Sequence, residues 1–230
     1  MFTLIDDLKH RLDQCRPLSD FTSSNIEEDL FLRLIYNSNA ISGNKLSLLE
    51  TKVVLEGIAI GGKTLEDHLQ VINQRKAINY IQSIIRKKEN FSTEQIFNIH
   101  LIISNNVNIL HSDSTLPNYT SLIKKIAPLL DWYNTEAHKL HPVERAAKVH
   151  VDFVGIHPFI DANGRTSRLL MNLELLKAGY PPCIITVESR LAYYEALDQW
   201  MASGKTEAFI ELVADAVLDG FKPYQMVLGV

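Results

Sequence analysis

Cysteine is scarce in this sequence. Only Cys15 and Cys183 occur, far apart and in no metal-binding or redox spacing. That argues against a disulfide framework or a zinc cluster and leaves two reduced, structural thiols. No apolar run approaches the roughly 20 residues that a membrane-spanning helix needs. The stretch Met1 to Arg16 mixes Asp6, Asp7, Lys9, His10 and Arg11 among its apolar positions, too much charge for a signal-peptide core. The expectation is a cytoplasmic protein with no membrane partner. Nor is positive charge in excess: 23 Lys and Arg stand against 27 Asp and Glu, a formal net charge of −4, so no global basic field is available to hold nucleic acid. Any phosphate-bearing ligand must be held by a local arrangement. Repeats, low-complexity tracts and linkers are also missing. What remains is 230 residues, 46% apolar and 22% charged, an ordinary composition for one globular core.

What is present is helical period. Phe2, Leu4, Ile5, Leu8 and Leu12 share one face. Ser24, with Glu27 three residues on, has the spacing of a capping box, and Leu30, Leu32, Leu34 and Ile35 carry that helix to about Ser38. Ser47 to Glu56 reads as a short helix ended by Gly57. Gly61-Gly62-Lys63 lacks the Walker spacing and reads as a plain turn. Thr64 with Asp67 opens a long helix to about Lys88, and Ser92 with Gln95 opens the next. His68, His100 and His150 fall on these helical patterns and read as packing residues, and Arg86-Lys87-Lys88 as a solvated helix end. Helical period returns over residues 121–135, 142–156, 164–177 and 189–201, and from 205 to about 220. The stretch Asn105 to Asn118 differs. Val107, Ile109, Ser112, Ser114 and Pro117 predict a short extended segment or hairpin. The fold class is all-α with one small β element.

The chemistry concentrates between two helical patterns, in His157-Pro158-Phe159-Ile160-Asp161-Ala162-Asn163-Gly164-Arg165-Thr166-Ser167-Arg168. Pro158 disfavours a helical conformation at His157, so the preceding helix should end there. Asp161 to Gly164 is turn-forming and leads into the next helix, whose N-terminal amides are a natural anion site. Arg165 and Arg168 are three apart and share a face of its first turn. Two guanidinium groups at the positive end of a helix dipole are unfavourable unless an anion sits there, and phosphate matches their geometry. Asp161 is a hard oxygen ligand suited to Mg²⁺ shared with a di- or triphosphate. The imidazole of His157 can take a proton from an attacking hydroxyl. A base, a metal carboxylate, an anion cradle and two arginines suffice for phosphoryl or nucleotidyl transfer.

This segment resembles the signature of the Fic family, His-Pro-Phe-x-[Asp/Glu]-Gly-Asn-Gly-Arg-x-x-Arg, and departs from its fixed positions only at Ala162. Flanking blocks are similar too: His141-Pro142 with Glu144, Ala146, Ala147 and Lys148 before it, Leu169-Leu170-Met171-Asn172 and Ala178-Gly179-Tyr180-Pro181-Pro182 after it, and Asn37-Ser38-Asn39-Ala40-Ile41 with Gly43-Asn44 upstream. The resemblance spans Asn37 to Asp198. It implies a Fic-type helical domain over residues 37–220 with a small β-hairpin flap, N-terminal helices over 1–36 packed on it, and a C-terminal tail over 221–230. It implies transfer of AMP from ATP, with Mg²⁺, to a Ser, Thr or Tyr hydroxyl of a target protein. On the matched positions, His157 is the base and Asp161 the Mg²⁺ ligand. The backbone of Ala162, Asn163 and Gly164, with the Asn163 side chain, cradles phosphate; Arg165 binds the phosphate tail and Arg168 the γ-phosphate. Tyr193 and Tyr194 lie in a block that lines the adenine pocket in relatives. Val107 to Pro117 resembles the flap on which the target docks, and a homodimer is compatible with the family.

Three departures bear on function. Ala162 stands where most of the family has Gly. The related death-on-curing toxins, which transfer phosphate, also have Ala there, but they replace the following Gly and lack the second arginine, whereas Gly164 and Arg168 are present here. AMP transfer is therefore the expectation, with transfer of phosphate or of another nucleotide as the alternative. Second, the family's inhibitory motif [Ser/Thr]-x-x-x-Glu-[Gly/Asn] is matched by Ser38, Gly43 and Asn44, but Ser42 stands where Glu belongs. The resemblance then implies loss of the self-inhibition in which that Glu pairs with the second arginine. Third, the stretch between Ile102 and Val107 is shorter than in many relatives, which bears on target docking.

Overall fold

Hydroxyl side chains start several of the helices that the apolar spacing marks out. The structure, a computed structural model, describes residues 2–105 and 119–229, and over these residues the chain forms ten α-helices and a short 3-10 turn, with no strand. They are α1 (Thr3–Gln14), α2 (Asp20–Ile41), α3 (Leu48–Leu55), α4 (Leu65–Lys87), α5 (Thr93–Ser104), α6 (Tyr119–Thr135), α7 (Pro142–Ile156), α8 (Asn163–Lys177), α9 (Arg190–Ser203) and α10 (Glu207–Leu228). Ser47 and Thr64 form complete capping boxes with Glu50 and Asp67. Ser92 accepts from the Gln95 amide, while the Gln95 side chain turns to Glu89. The expected flap, Val107 to Pro117, lies outside the described residues.

Two boundaries differ from the sequence reading. The α2 helix begins at Asp20, capped by Ser19 accepting from the Thr22 amide, and Ser24 is interior, its hydroxyl donating back to the Asp20 carbonyl. Ser19 is the first hydroxyl after Pro17, so it captures the helix start one turn before Ser24 can. Residues 221–228 are not a tail. The α10 helix continues to Leu228 and buries Phe221 and Tyr224.

The helix that decides the architecture is α8. Asn163 and every residue from Arg165 to Leu175 are buried, so it is enclosed on all sides. Met171 and Leu175 join an apolar cluster with α1, α7, α9 and α10, while Leu169, Leu170 and Leu173 join a second one with α3, α4, α5 and α6. The α2 and α7 helices contribute to both. The C-terminal half of α8 is thus mostly apolar core, apart from the buried Asn172 and Glu174. Its N-terminal half buries Asn163, Arg165, Thr166, Ser167 and Arg168, a concentration of polar side chains that packing alone does not call for.

Side-chain amides hold the irregular segments against this scaffold. Asn172 on α8 donates to and accepts from the backbone of Cys183 (3.0 and 2.8 Å), and Asn37 on α2 accepts from the Val187 amide (3.0 Å). Burial pushes the Cys183 thiol up, so it is inert, as its isolation in the sequence implies. The preceding Pro181-Pro182 pair lies against α10 at Gly220. A Cβ there would sit 2.9 Å from both Pro181 Cβ and the Pro182 carbonyl oxygen. Neither neighbour can rotate away. Gly220→Ala should therefore destabilise the fold by about 1–3 kcal/mol, read as a lower denaturation midpoint at unchanged slope. An unchanged midpoint would mean that α10 is free to move off this segment.

Candidate active site

The site is built where α7 hands over to α8. The α7 helix ends at Ile156, and His157 follows in the left-handed conformation (φ 45°, ψ 59°), exposed to solvent. Pro158 is the local cause, since its ring disfavours right-handed helix in the residue before it. Phe159 then anchors the loop. Its ring stacks on His100 of α5, with centroids 3.5 Å apart and planes within 2°. Burial pushes the pKa of His100 down to about 4, so it packs as a neutral aromatic ring.

Asn163 locks the turn. Its side-chain oxygen accepts from the Phe159 amide (3.1 Å), and its nitrogen donates to the Phe159 carbonyl (2.7 Å). The side chain is thus directed into the loop, which corrects its expected part in cradling phosphate. It shapes the cradle from behind. Ala162 is the residue before the helix and takes the left-handed conformation (φ 59°, ψ 13°) that glycine adopts most easily. The first intrahelical bond runs from the Thr166 amide to the Ala162 carbonyl (2.9 Å). The amides of Asn163, Gly164 and Arg165 therefore have no acceptor within the helix, and alanine offers no side-chain oxygen to cap them. At Gly164 a Cβ would sit 3.3 Å from Arg168 Nη1, so glycine keeps this face of the turn open.

Both arginines are buried beside that turn. Arg165 is 4% exposed, and its guanidinium approaches Asp161 at 3.5 Å. Asp161 itself is 68% exposed. Among the described residues Arg165 Nη1 has no hydrogen-bond partner. Burial lowers the pKa of Arg165, against the opposing pull of Asp161, but a guanidinium stays charged. Arg168 is 3% exposed, and among the described residues its hydrogen bonds go to neutral groups. Its Nε donates to Ser38 Oγ (3.0 Å), its Nη2 to the Ser38 carbonyl (2.8 Å) and Ser42 Oγ (2.8 Å), and its Nη1 to Tyr193 Oη (3.2 Å). Two desolvated cations thus lie beside a helix N-terminus that has no side-chain cap, with the exposed Asp161 carboxylate near Arg165. An isolated buried charge is costly, and a polyphosphate would satisfy both guanidinium groups, the free amides and the orphaned Nη1 together. A single exposed carboxylate is also the donor set of a Mg²⁺ shared with phosphate oxygens, which keeps most of its ligands from water and substrate.

The expected regulatory residues converge on Arg168. Ser38 lies on the last turns of α2 and Ser42 is its C-cap, exposed, with its hydroxyl also 3.2 Å from the Ser38 carbonyl. Gly43 turns the chain at φ 100°. Asn44 then donates to the Asp67 carbonyl (3.0 Å) and Gln70 Oε1 (2.9 Å), tying the end of α2 to the start of α4. Tyr193 does not form an open pocket wall. It is 1% exposed, and its hydroxyl is held between Arg168 and His150, so the expectation that it lines a base pocket is corrected. Tyr194 is 41% exposed, with the Arg190 guanidinium 5.6 Å from its ring centre. The sequence reads His150 as a packing residue and gives Ser167 no part. Ser167 Oγ and Tyr193 Oη both lie within reach of His150 Nε2 inside the core, and it is the packing of α7, α8 and α9 that brings this group to Arg168.

Comparison with known proteins agrees with this geometry. The family described as Fic/DOC matches residues 64–175. The chain is 34% identical over 228 residues to a Nematostella vectensis protein named protein adenylyltransferase Fic, covering 93% of this chain and 53% of that protein. It is 34% identical over 225 residues to an Aedes aegypti protein of the same name, covering 89% and 45%. The chain thus spans about half the length of these relatives. The solved structure of Fic-1 from C. elegans superposes with a TM-score of 0.85 at 30% identity, covering 96% of this chain and 68% of that one. A Fic domain containing signaling protein from Bacteroides thetaiotaomicron shares the fold at 24% identity and a TM-score of 0.85, covering 98% and 97%.

Proposed function

The chain belongs to the Fic/DOC family, and from that premise we propose that it transfers AMP from ATP to a Ser, Thr or Tyr hydroxyl of a target protein. The observation that carries this reading is Arg165 Nη1, a buried cationic donor without a partner among the described residues, beside the uncapped start of α8. A phosphate would meet both the guanidinium and the helix amides there, which supports the reading. His157 stands at the other end of the same short loop, exposed and free to meet a second substrate. In the transfer, the acceptor oxygen bonds to the α-phosphorus, the α–β phosphoanhydride bond breaks and pyrophosphate leaves. His157 takes the hydroxyl proton. Arg165, Arg168 and the amides of residues 163–165 hold the phosphates. Mg²⁺ bound through Asp161 would offset the charge of the polyphosphate. Tyr194 offers an exposed ring against which adenine can stack. The target docks on the segment Val107 to Pro117.

Gly164 and Arg168, which the phosphate-transferring relatives lack, support AMP transfer over phosphate transfer, and Ala162 does not oppose it. Its backbone takes the left-handed turn that glycine would, so the added methyl does not divert the path of the loop. The test is label transfer from ATP with Mg²⁺, using α-³²P and γ-³²P nucleotide in parallel, to the protein itself and to a cell lysate. Labelling from the α-phosphate only is expected. Labelling from the γ-phosphate only would make the protein a phosphotransferase, and labelling from neither would end the ATP reading.

A further inference from the structure

Four buried polar side chains from three helices meet beside the phosphate cradle. His150 of α7 is fully enclosed. Its Nε2 lies 3.1 Å from Tyr193 Oη of α9 and 3.1 Å from Ser167 Oγ of α8. Ser167 Oγ is also 2.9 Å from the Gly164 carbonyl, on the first turn of α8. Tyr193 Oη in turn accepts from Arg168 Nη1. Hydrogen-bond direction follows from Arg168, which can only donate. The Tyr193 oxygen accepts there, which leaves its own proton for His150 Nε2 in the tautomer that carries hydrogen on Nδ1. Burial and the nearby Arg168 charge both favour this neutral imidazole. Ser167 donates to the Gly164 carbonyl and only packs against the imidazole, so the bonded relay runs from Arg168 through Tyr193 to His150.

Tyr193 and His150 in this relay are uncharged, and among the described residues no carboxylate pairs with Arg168. A carboxylate would orient the guanidinium equally well but would also cancel its charge. We infer that Tyr193 and His150 are positioning residues that fix Arg168 through a neutral relay, leaving its full positive charge for the terminal phosphates of the donor. This rests on the proposed use of ATP. It makes a sharper claim: the relay acts on the β- and γ-phosphates and not on the nucleoside.

Titration calorimetry with ATP and with AMP, in Mg²⁺ buffer, separates the possibilities. Tyr193→Phe keeps the ring volume and removes the acceptor for Nη1. ATP affinity should fall about tenfold, with AMP affinity unchanged within about twofold. His150→Leu reaches the same guanidinium from the far end of the relay and should give the same ATP-selective loss. His150→Gln, which restores a neutral acceptor, should recover most of it. A purely structural role would lower the melting temperature and leave the ATP-to-AMP affinity ratio at its wild-type value, and that result, or an equal loss for both nucleotides, overturns the inference. If the wild-type protein binds no ATP, the donor assignment fails first and the relay falls with it.

Discussion

His157→Ala should abolish label transfer, lowering the rate by about 10²–10⁴-fold, the span that general-base catalysis contributes, while ATP binding stays within about twofold of wild type. The two expectations separate because of how the loop is held. The imidazole is exposed, and the bond that His157 makes to the scaffold runs from its backbone amide to the Phe153 carbonyl (3.2 Å). The loop is anchored elsewhere: by the Phe159 ring on His100, by the Asn163 side chain clipped to the Phe159 backbone, and by the fixed ring of Pro158. Alanine takes the left-handed conformation less readily than histidine, so the substitution adds some local strain, but at a residue whose side chain does not anchor the loop. The phosphate-facing groups are Arg165, Arg168 and three backbone amides, none of which touches the imidazole. Rates should be measured with α-³²P ATP and affinity by calorimetry. Loss of both together would mean that His157 shapes the cradle, and loss of neither would remove it from the reaction.

Much of this site is legible along the chain because its parts are local. His157, Asp161, Arg165 and Arg168 fall within one short segment, and the rules for Pro, for turn residues and for helix N-termini act over a few positions. The helix starts at Ser47 and Thr64 are read correctly for the same reason. What escapes is what depends on packing between helices. Nothing in the spacing of α9 tells whether Tyr193 faces a ligand or the core; its 1% exposure and its bond to His150 follow from how α9 lies on α7 and α8. Asn163 sits where a phosphate ligand would be expected, yet both ends of its amide are taken by a residue four positions back. Ser19 and Ser24 are equivalent by residue type, and only the geometry of the chain leaving Pro17 decides between them.

Ser42→Glu should reinstate an inhibitory charge on Arg168 and slow AMP transfer by about tenfold to a hundredfold at low ATP, with the rate recovering as ATP is raised. Ser42 and Arg168 are 126 residues apart in sequence, and the contact between them is already made, with Oγ 2.8 Å from Nη2. A serine hydroxyl is neutral and leaves the guanidinium charge available. A glutamate at this position is longer and anionic, and it would meet a buried cation that has no carboxylate partner among the described residues. A hydrogen bond to a charged group contributes about 1.5–3 kcal/mol. Against this, position 42 caps the C-terminus of α2, where a negative charge costs about 0.3–1 kcal/mol through the helix dipole. The ion pair wins, so the apo protein should also melt at a higher temperature than wild type. The same pairing must be broken before donor phosphate reaches Arg168. The Michaelis constant for ATP therefore rises while the rate at saturating ATP changes little. Comparing initial rates of α-³²P labelling across an ATP series, for the wild-type and Ser42→Glu proteins, reads both effects. Equal rates and equal ATP dependence would mean that the charge at this position does not reach Arg168, and the wild-type serine could no longer be regarded as the source of an unrestrained enzyme.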